Sequence, residues 1–270
     1  MTAGTGLGAG KGMTEAEARE LMAFAHKLAD AAGKVIRPLF RSVGAIDNKR
    51  AADFDPVTAA DRDAETAMRA LISARYPHHR VYGEEHGAEW GERFTWVIDP
   101  LDGTRSFIGG FPTWGTLIGL AEYGRPVLGI MDQPVTGERF TGGPDGAFLG
   151  DLRLKVRSCA RLEDAVLYST TPDMFKGEAE MAAFRRVETR VKLRRFGGDC
   201  YAYCMMAHGF VDLIVEASMQ PYDIHALIPI VEQAGGIVTN WEGEPAWQAG
   251  RILAAGDRRV HQAALEALNG

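Results

Sequence analysis

Between Glu15 and Phe40 the apolar residues Leu21, Phe24, Ala25, Leu28, Ala32, Val35 and Ile36 recur at helical spacing. That spacing gathers them on one face and predicts a long amphipathic helix. Thr14 stands at its N-cap position, and Glu17, three residues on, completes a capping box. Ala64, Met68, Leu71 and Ile72 repeat the pattern and predict a second helix over 60–75, stopped by Pro77. The period then becomes that of strands. Thr95-Trp96-Val97-Ile98 reads as a buried strand ending at Asp99-Pro100. Residues 116–122 and 126–133 read as strands joined by a hairpin at Tyr123-Gly124-Arg125. A run at 139–142 and a turn over Gly143-Pro144-Asp145-Gly146 extend an antiparallel meander to about Val156.

The rest of the chain alternates. Strands are predicted at 165–169, 191–196, 211–216, 237–239 and 251–255, and helices at 174–186, 200–208, 224–234 and 257–268. Such alternation implies a sheet covered by helices. The chain therefore reads as α/β (α+β). Residues 1–12 form a Gly-rich disordered tail, 13–155 an N-terminal α+β domain, and 156–270 a C-terminal α/β domain packed tightly on it. The tail's glycines do not make a nucleotide loop, because no strand precedes them and Lys11 is followed by Gly12 rather than Ser or Thr.

Composition bears on function. The chain has 270 residues, 46% hydrophobic and 24% charged, as an ordinary globular enzyme does. No apolar run has the length of a membrane span. The N-terminus lacks the basic-then-apolar pattern of a secretory signal, which points to a cytoplasmic location. A net charge of −6 and the lack of a Lys/Arg run argue against nucleic-acid partners. The same charge disfavours anionic substrates unless bound cations invert it locally. Cys159, Cys200 and Cys204 are too few and too unpaired for a disulfide framework. Cys200 and Cys204 have no second pair to complete a metal site and read as buried small hydrophobes.

The main chemical signal is carboxylate. Asp99-Pro100-Leu101-Asp102-Gly103-Thr104 follows directly on an apolar strand, where loops project into clefts. Two aspartates three apart can aim at one place, and the Leu101 carbonyl can join them. Hard oxygen donors of this kind suit Mg²⁺. Gly103 leaves room for a phosphate at its N–H, and the Thr104 hydroxyl can orient a water. Alone, the hexapeptide fits an Asp- and Gly-rich connector equally well. Three other segments add acids: Gly83-Glu84-Glu85, Asp55-Pro56-Val57-Thr58-Ala59-Ala60-Asp61 and Pro221-Tyr222-Asp223. Each has a plain reading too. Glu85 reads as a solvated surface acid, Thr58 as a helix cap with Asp61 in the first turn, and Asp223 as a cap.

Together and in this order, DPVTAAD (55–61), GEE (83–85), WVIDPLDGT (96–104), PYDIHA (221–226) and AGGIV (234–238) resemble the inositol monophosphatase-like family of Mg²⁺-dependent phosphatases. The resemblance runs over about residues 15–265. It implies a layered α-β-α-β-α sandwich, usually a homodimer, with two or three Mg²⁺ per site. Carried over, it assigns Glu84, Asp99 and the Leu101 carbonyl to a first metal, and Asp99, Asp102 and Asp223 to a second. Glu84 would also face a third. Thr104, oriented by Asp61, would activate the attacking water, and the Gly103 and Thr104 N–H groups would bind phosphate. Lys49 would cover the cleft. Tyr222 stands where the family commonly has Trp, and His225-Ala226 replaces two small residues, which bears on substrate choice.

Within the family the chain is most similar to the histidinol-phosphatase branch. The matching stretches are Thr104-Arg105-Ser106-Phe107-Ile108, Asp132-Gln133-Pro134 and Gly197-Gly198-Asp199-Cys200-Tyr201. The resemblance puts Asp199 and Glu216 on the leaving-group side, where carboxylates favour an amine such as L-histidinol phosphate. The plain readings are an N-cap for Asp199 and a solvated strand end for Glu216. Inositol monophosphate, another sugar phosphate or a 3′-phosphonucleotide is the alternative substrate. A non-catalytic binding protein on the same fold would be expected to lack one of Glu84, Asp99, Asp102, Thr104 or Asp223, and all are present. A metal-free protein using every acid as a cap is the remaining alternative.

Overall fold

The computed structural model describes residues 12–42, 46–48 and 56–270. The tail up to residue 11, Lys49, Asp55 and the Thr58 side chain lie outside what is described.

Helix α1 (Glu15–Ile36) opens with the expected capping box: Thr14 accepts the Glu17 N–H, and Glu17 accepts the Thr14 N–H. It stops four residues short of the predicted end. Pro38 lacks an N–H and so cannot continue the α-helical bonding, and the chain tightens into one 3₁₀ turn. Short strands β1 (Ile46–Asn48) and β2 (Pro56–Thr58) pair antiparallel ahead of α2 (Ala59–Arg75).

A seven-stranded sheet follows in sequential order: β3 (Arg80–Gly83), β4 (Phe94–Asp102), β5 (Gly115–Glu122), β6 (Arg125–Gln133), β7 (Glu138–Gly143), β8 (Gly146–Leu149) and β9 (Leu152–Arg153). It is antiparallel apart from the β3–β4 pair. The short helix α3 (Thr104–Gly109) interrupts it after β4. The expected hairpin joins β5 to β6, with Tyr123 and Gly124 both at positive φ, as a two-residue turn between twisted strands requires.

The second sheet has the order β11-β10-β12-β14-β13. Its strands are β10 (Val166–Ser169), β11 (Leu193–Phe196), β12 (Leu213–Met219), β13 (Ile237–Thr239) and β14 (Gly250–Ala255). Between and after them come α4 (Gly177–Glu188), α5 (Asp199–Ala207), α6 (Pro221–Ile224), α7 (Leu227–Gln233) and α8 (Arg258–Asn269). The single helix predicted over 224–234 is two helices. Pro229 cannot donate to the carbonyl four residues back, and the axis breaks at His225-Ala226.

Three apolar clusters fix the layers. Leu21, Phe24, Leu28 and Met68 of α1 and α2 pack on Trp96, Ile98 and Ile118 of the first sheet. Tyr203, Cys204, Leu227 and Ile230 of α5 and α7 fill the space between Leu117, Met131 and Phe140 of one sheet and Ile214 and Ile252 of the other. Phe184, Val260 and Ala264 of α4 and α8 cover the outer face of the second sheet against Leu167, Val215 and Leu253. The order is helix, sheet, helix, sheet, helix, as expected. The three cysteines are buried. Gly129 of β6 sets how closely the central helices approach, since a Cβ there would collide with the Ala226 carbonyl oxygen. That approach brings α6 to the end of β4.

Candidate active site

In an unbroken strand, side chains three apart point to opposite faces. Asp99 is opposite Leu117 and Asp102 opposite Gly115, so three steps along β4 match two along β5. This bulge turns both carboxylates to one side. Pro100 sits inside it, where no ladder N–H is required. The strand therefore runs on to Asp102, past the Asp99-Pro100 end expected from sequence. Gly103 follows at φ +80°, a conformation that favours glycine, and a Cβ there would press on Asp199 and the Trp114 backbone. Thr104 then opens α3, and its hydroxyl donates to the Leu101 carbonyl at 3.2 Å.

Asp223 arrives from the other half of the chain, in the first turn of α6. Its carboxylate accepts the Gln220 N–H at 2.7 Å as the third-position member of a capping box; the N-cap itself is Gln220, not Asp223. It also faces β4. Carboxylate oxygens of Asp99, Asp102 and Asp223 lie within 4.8 Å of one another. A second group on the same measure joins Asp61 of α2 to Glu84 and Glu85. The Glu85 side chain is only 2% exposed, with Arg62 at 3.7 Å, which corrects the solvated reading of that residue.

The electrostatics of these acids are mutually unfavourable. Burial, then repulsion from Glu84, Asp102, Asp61 and Asp223, pushes the Asp99 carboxyl well above its usual range. Asp102 is pushed up to about 7 by burial and by Asp199, against the Cys200 N–H that it accepts at 2.9 Å. Asp223 is raised likewise, by burial first and Asp102 next. Gathering buried like charges is costly unless something neutralises them. An all-oxygen donor set with a backbone carbonyl beside it fits a hard divalent ion such as Mg²⁺.

Asp199 and Glu216 line the same cavity of about 570 Å³ as Glu84, Gly103, Thr104 and Asp223. Neither plain reading of them holds. Asp199 is the first residue of α5, at φ +44°, with Gly198 as N-cap. Its carboxylate accepts from Ser106 at 2.5 Å and Thr113 at 3.2 Å, on and just after α3. Glu216 is 2% exposed and lies within a strand that continues to Met219. It accepts the Thr170 N–H and hydroxyl and the Tyr203 hydroxyl, at 2.9, 2.6 and 2.7 Å. Burial raises both carboxyls against those donors. His225, two residues after Asp223, is structural. The Trp247 carbonyl 2.6 Å from its Nε2 can only accept, so Nε2 carries the proton, and burial depresses the ring to about 4.

Ser106, Thr113, Thr170 and Tyr203 escape a sequence reading because they support the site from other elements. Glu65 escapes it too, though its spacing from Asp61 was a signal, since positions four apart share a helix face.

The family model described as the inositol monophosphatase family matches residues 17–270. The chain belongs to that family. It is 44% identical to the "Bifunctional phosphatase IMPL2, chloroplastic" of Arabidopsis thaliana, over 95% of this chain and 77% of that protein. It is 34% identical to a histidinol-phosphatase of Streptomyces coelicolor, over 91% of this chain and 95% of that one. Among solved structures, an inositol monophosphatase from Zymomonas mobilis is 42% identical with a TM-score of 0.85, over 93% of this chain and 98% of that chain. The chain is thus a phosphatase of a family that acts on small phosphorylated substrates, and the five-layer architecture is the family's. Among the described residues no helix is long and apolar enough to cross a membrane.

Proposed function

We propose that this chain is a Mg²⁺-dependent phosphomonoesterase that hydrolyses L-histidinol phosphate to L-histidinol and phosphate. The observation that carries the catalytic part is the convergence of the Asp99, Asp102 and Asp223 carboxylates, of which Asp102 and Asp223 line one cavity with Gly103 and Thr104. Glu84, Asp99 and the Leu101 carbonyl would hold one Mg²⁺, and Asp99, Asp102 and Asp223 a second, with Glu84 beside a third. Bound Mg²⁺ supplies charge neutralisation, a more acidic water and stabilisation of the leaving oxygen. The chain's own groups do the positioning. The Gly103 and Thr104 N–H groups take the phosphate oxygens, and the Thr104 hydroxyl, oriented by Asp61, aligns the attacking water. Water oxygen bonds to phosphorus as the water gives up a proton, the P–O bond to the alcohol breaks, and the departing oxygen takes up that proton. Such transition states are loose, so positioning and charge stabilisation carry most of the rate.

The substrate reading rests on Asp199 and Glu216, which give the leaving-group end a negative field that favours an ammonium. The likeness to the Streptomyces histidinol-phosphatase supports it. The higher identity to the Zymomonas inositol monophosphatase favours a second reading, inositol 1-phosphate. A homodimer in the cytoplasm completes the proposal.

Phosphate release with Mg²⁺ from L-histidinol phosphate, inositol 1-phosphate and 3′-phosphoadenosine 5′-phosphate tests this. The expected result is a kcat/KM at least tenfold higher for histidinol phosphate. Preference for another ester discards the substrate and keeps the chemistry. No release from any of them discards the chemistry.

A further inference from the structure

Glu65 is a fully buried carboxylate that none of the steps above uses. It lies one helical turn after Asp61 on α2, with Arg69 one turn further, so the three share a helix face. Its two oxygens are spent on the turn that follows β3. One accepts the Glu85 N–H at 2.7 Å, and the other accepts the His86 N–H at 3.1 Å and Arg69 Nε at 2.7 Å. Arg69 in turn donates from its terminal nitrogen to the Gly87 carbonyl at 2.5 Å, the same oxygen that accepts the Gly83 N–H at 3.2 Å. Gly83 is required by this arrangement, since a Cβ there would collide with the Glu65 carboxylate. The turn from Gly83 to Gly87 is therefore gripped by its N–H groups and by its carbonyl from one helix. That turn carries Glu84 and Glu85, and the same helix carries Asp61, the third member of their group.

We infer that Glu65 and Arg69 are positioning residues, a clamp on α2 that sets Glu84 and Glu85 against Asp61 and so prepares that acidic group for a divalent cation before the cation arrives. The inference rests on reading these acids as a metal site. Three acids on two separate segments repel one another, which Arg62, 3.7 Å from Glu85, offsets in part. A buried acceptor for two adjacent backbone N–H groups holds the turn in place at that cost. Supporting partners of this kind are worth about 10- to 100-fold in metal affinity when lost.

The test uses the full chain and Mg²⁺ alone. Glu65→Gln keeps the volume but removes the charge pair with Arg69 and one strong acceptor. Mg²⁺ affinity by calorimetry is expected to weaken by about 10- to 100-fold. In the metal-free protein, amide exchange at Glu85 and His86 is expected to speed up while exchange in β4 and β5 stays as in wild type. Should Glu65→Gln fail to fold, Arg69→Gln, at a partly exposed position, carries both readings. A folded variant with a lower Tm but unchanged Mg²⁺ affinity and unchanged exchange at Glu85 and His86 overturns the clamp and leaves Glu65 a merely structural group. A wild-type chain that binds no Mg²⁺ overturns the metal reading itself, and the clamp's purpose with it.

Discussion

At Asp99 stability and function pull in opposite directions. The residue is 2% exposed, and four other carboxylates raise its pKa. A buried charge among like charges costs stability that a neutral side chain of the same shape does not. Its carboxylate accepts the Leu101 N–H at 2.9 Å, a bond that an amide oxygen would serve equally. Asp99→Asn should therefore stabilise the metal-free protein, on the order of 1–2 kcal/mol at pH 8 in EDTA, read as a Tm raised by a few degrees. The same change should remove the ligand shared by both proposed metals and lower kcat by at least about 100-fold, the upper end of what loss of a mere supporting partner costs. A variant that loses stability in EDTA, or keeps its activity, would mean that the cluster is not under repulsive strain or not at the chemistry.

At the level of elements, the hydrophobic period found α1, α2, the β5–β6 hairpin and the alternation of the second half, because each buries one face and so must repeat apolar residues at its own period. The acids of the site were also legible, since Asp99, Asp102, Glu84, Asp61 and Asp223 stand in short motifs. The manner of their meeting was not. The bulge at Asp99–Asp102 is a pairing irregularity between strands, visible only once β5 is beside β4. The break between α6 and α7 is local, written in Pro229, but apolar residues on both sides hide it. Asp199 and Glu216 read as cap and strand end because their partners, Ser106, Thr113, Thr170 and Tyr203, come from distant elements. The contact of Gly129 with Ala226 is of the same kind. Gly129→Ala should push α7, and α6 with it, off the first sheet, costing about 1–3 kcal/mol as an overpacked core does. Because α6 carries Asp223, Mg²⁺ affinity should fall as well. A loss of Tm with calorimetric Mg²⁺ affinity unchanged would show that α6 moves independently of α7.

At the scale of the whole molecule, the grouped acids of the site come from α2, the turn after β3, the end of β4 and α6, and no one layer holds them all. The unfolded chain scatters them over more than 160 positions, from Asp61 to Asp223, so Mg²⁺ should bind the folded state alone. Linkage then gives about 2.7 kcal/mol of stabilisation at a free Mg²⁺ concentration 100 times its Kd. For a chain of this size, that is a rise in Tm of about 5–11 °C. Sodium at matched ionic strength should give little of it, because general screening does not organise buried oxygens. The central cluster, with Leu117, Met131 and Phe140 on one side and Ile214 and Ile252 on the other, ties the two sheets into one core. The whole thermal transition should therefore move with Mg²⁺, as a single step. A Tm that ignores Mg²⁺ would remove the metal site from consideration. Two transitions, only one of them shifted, would mean that the sheets unfold separately and that the ion is held by one of them.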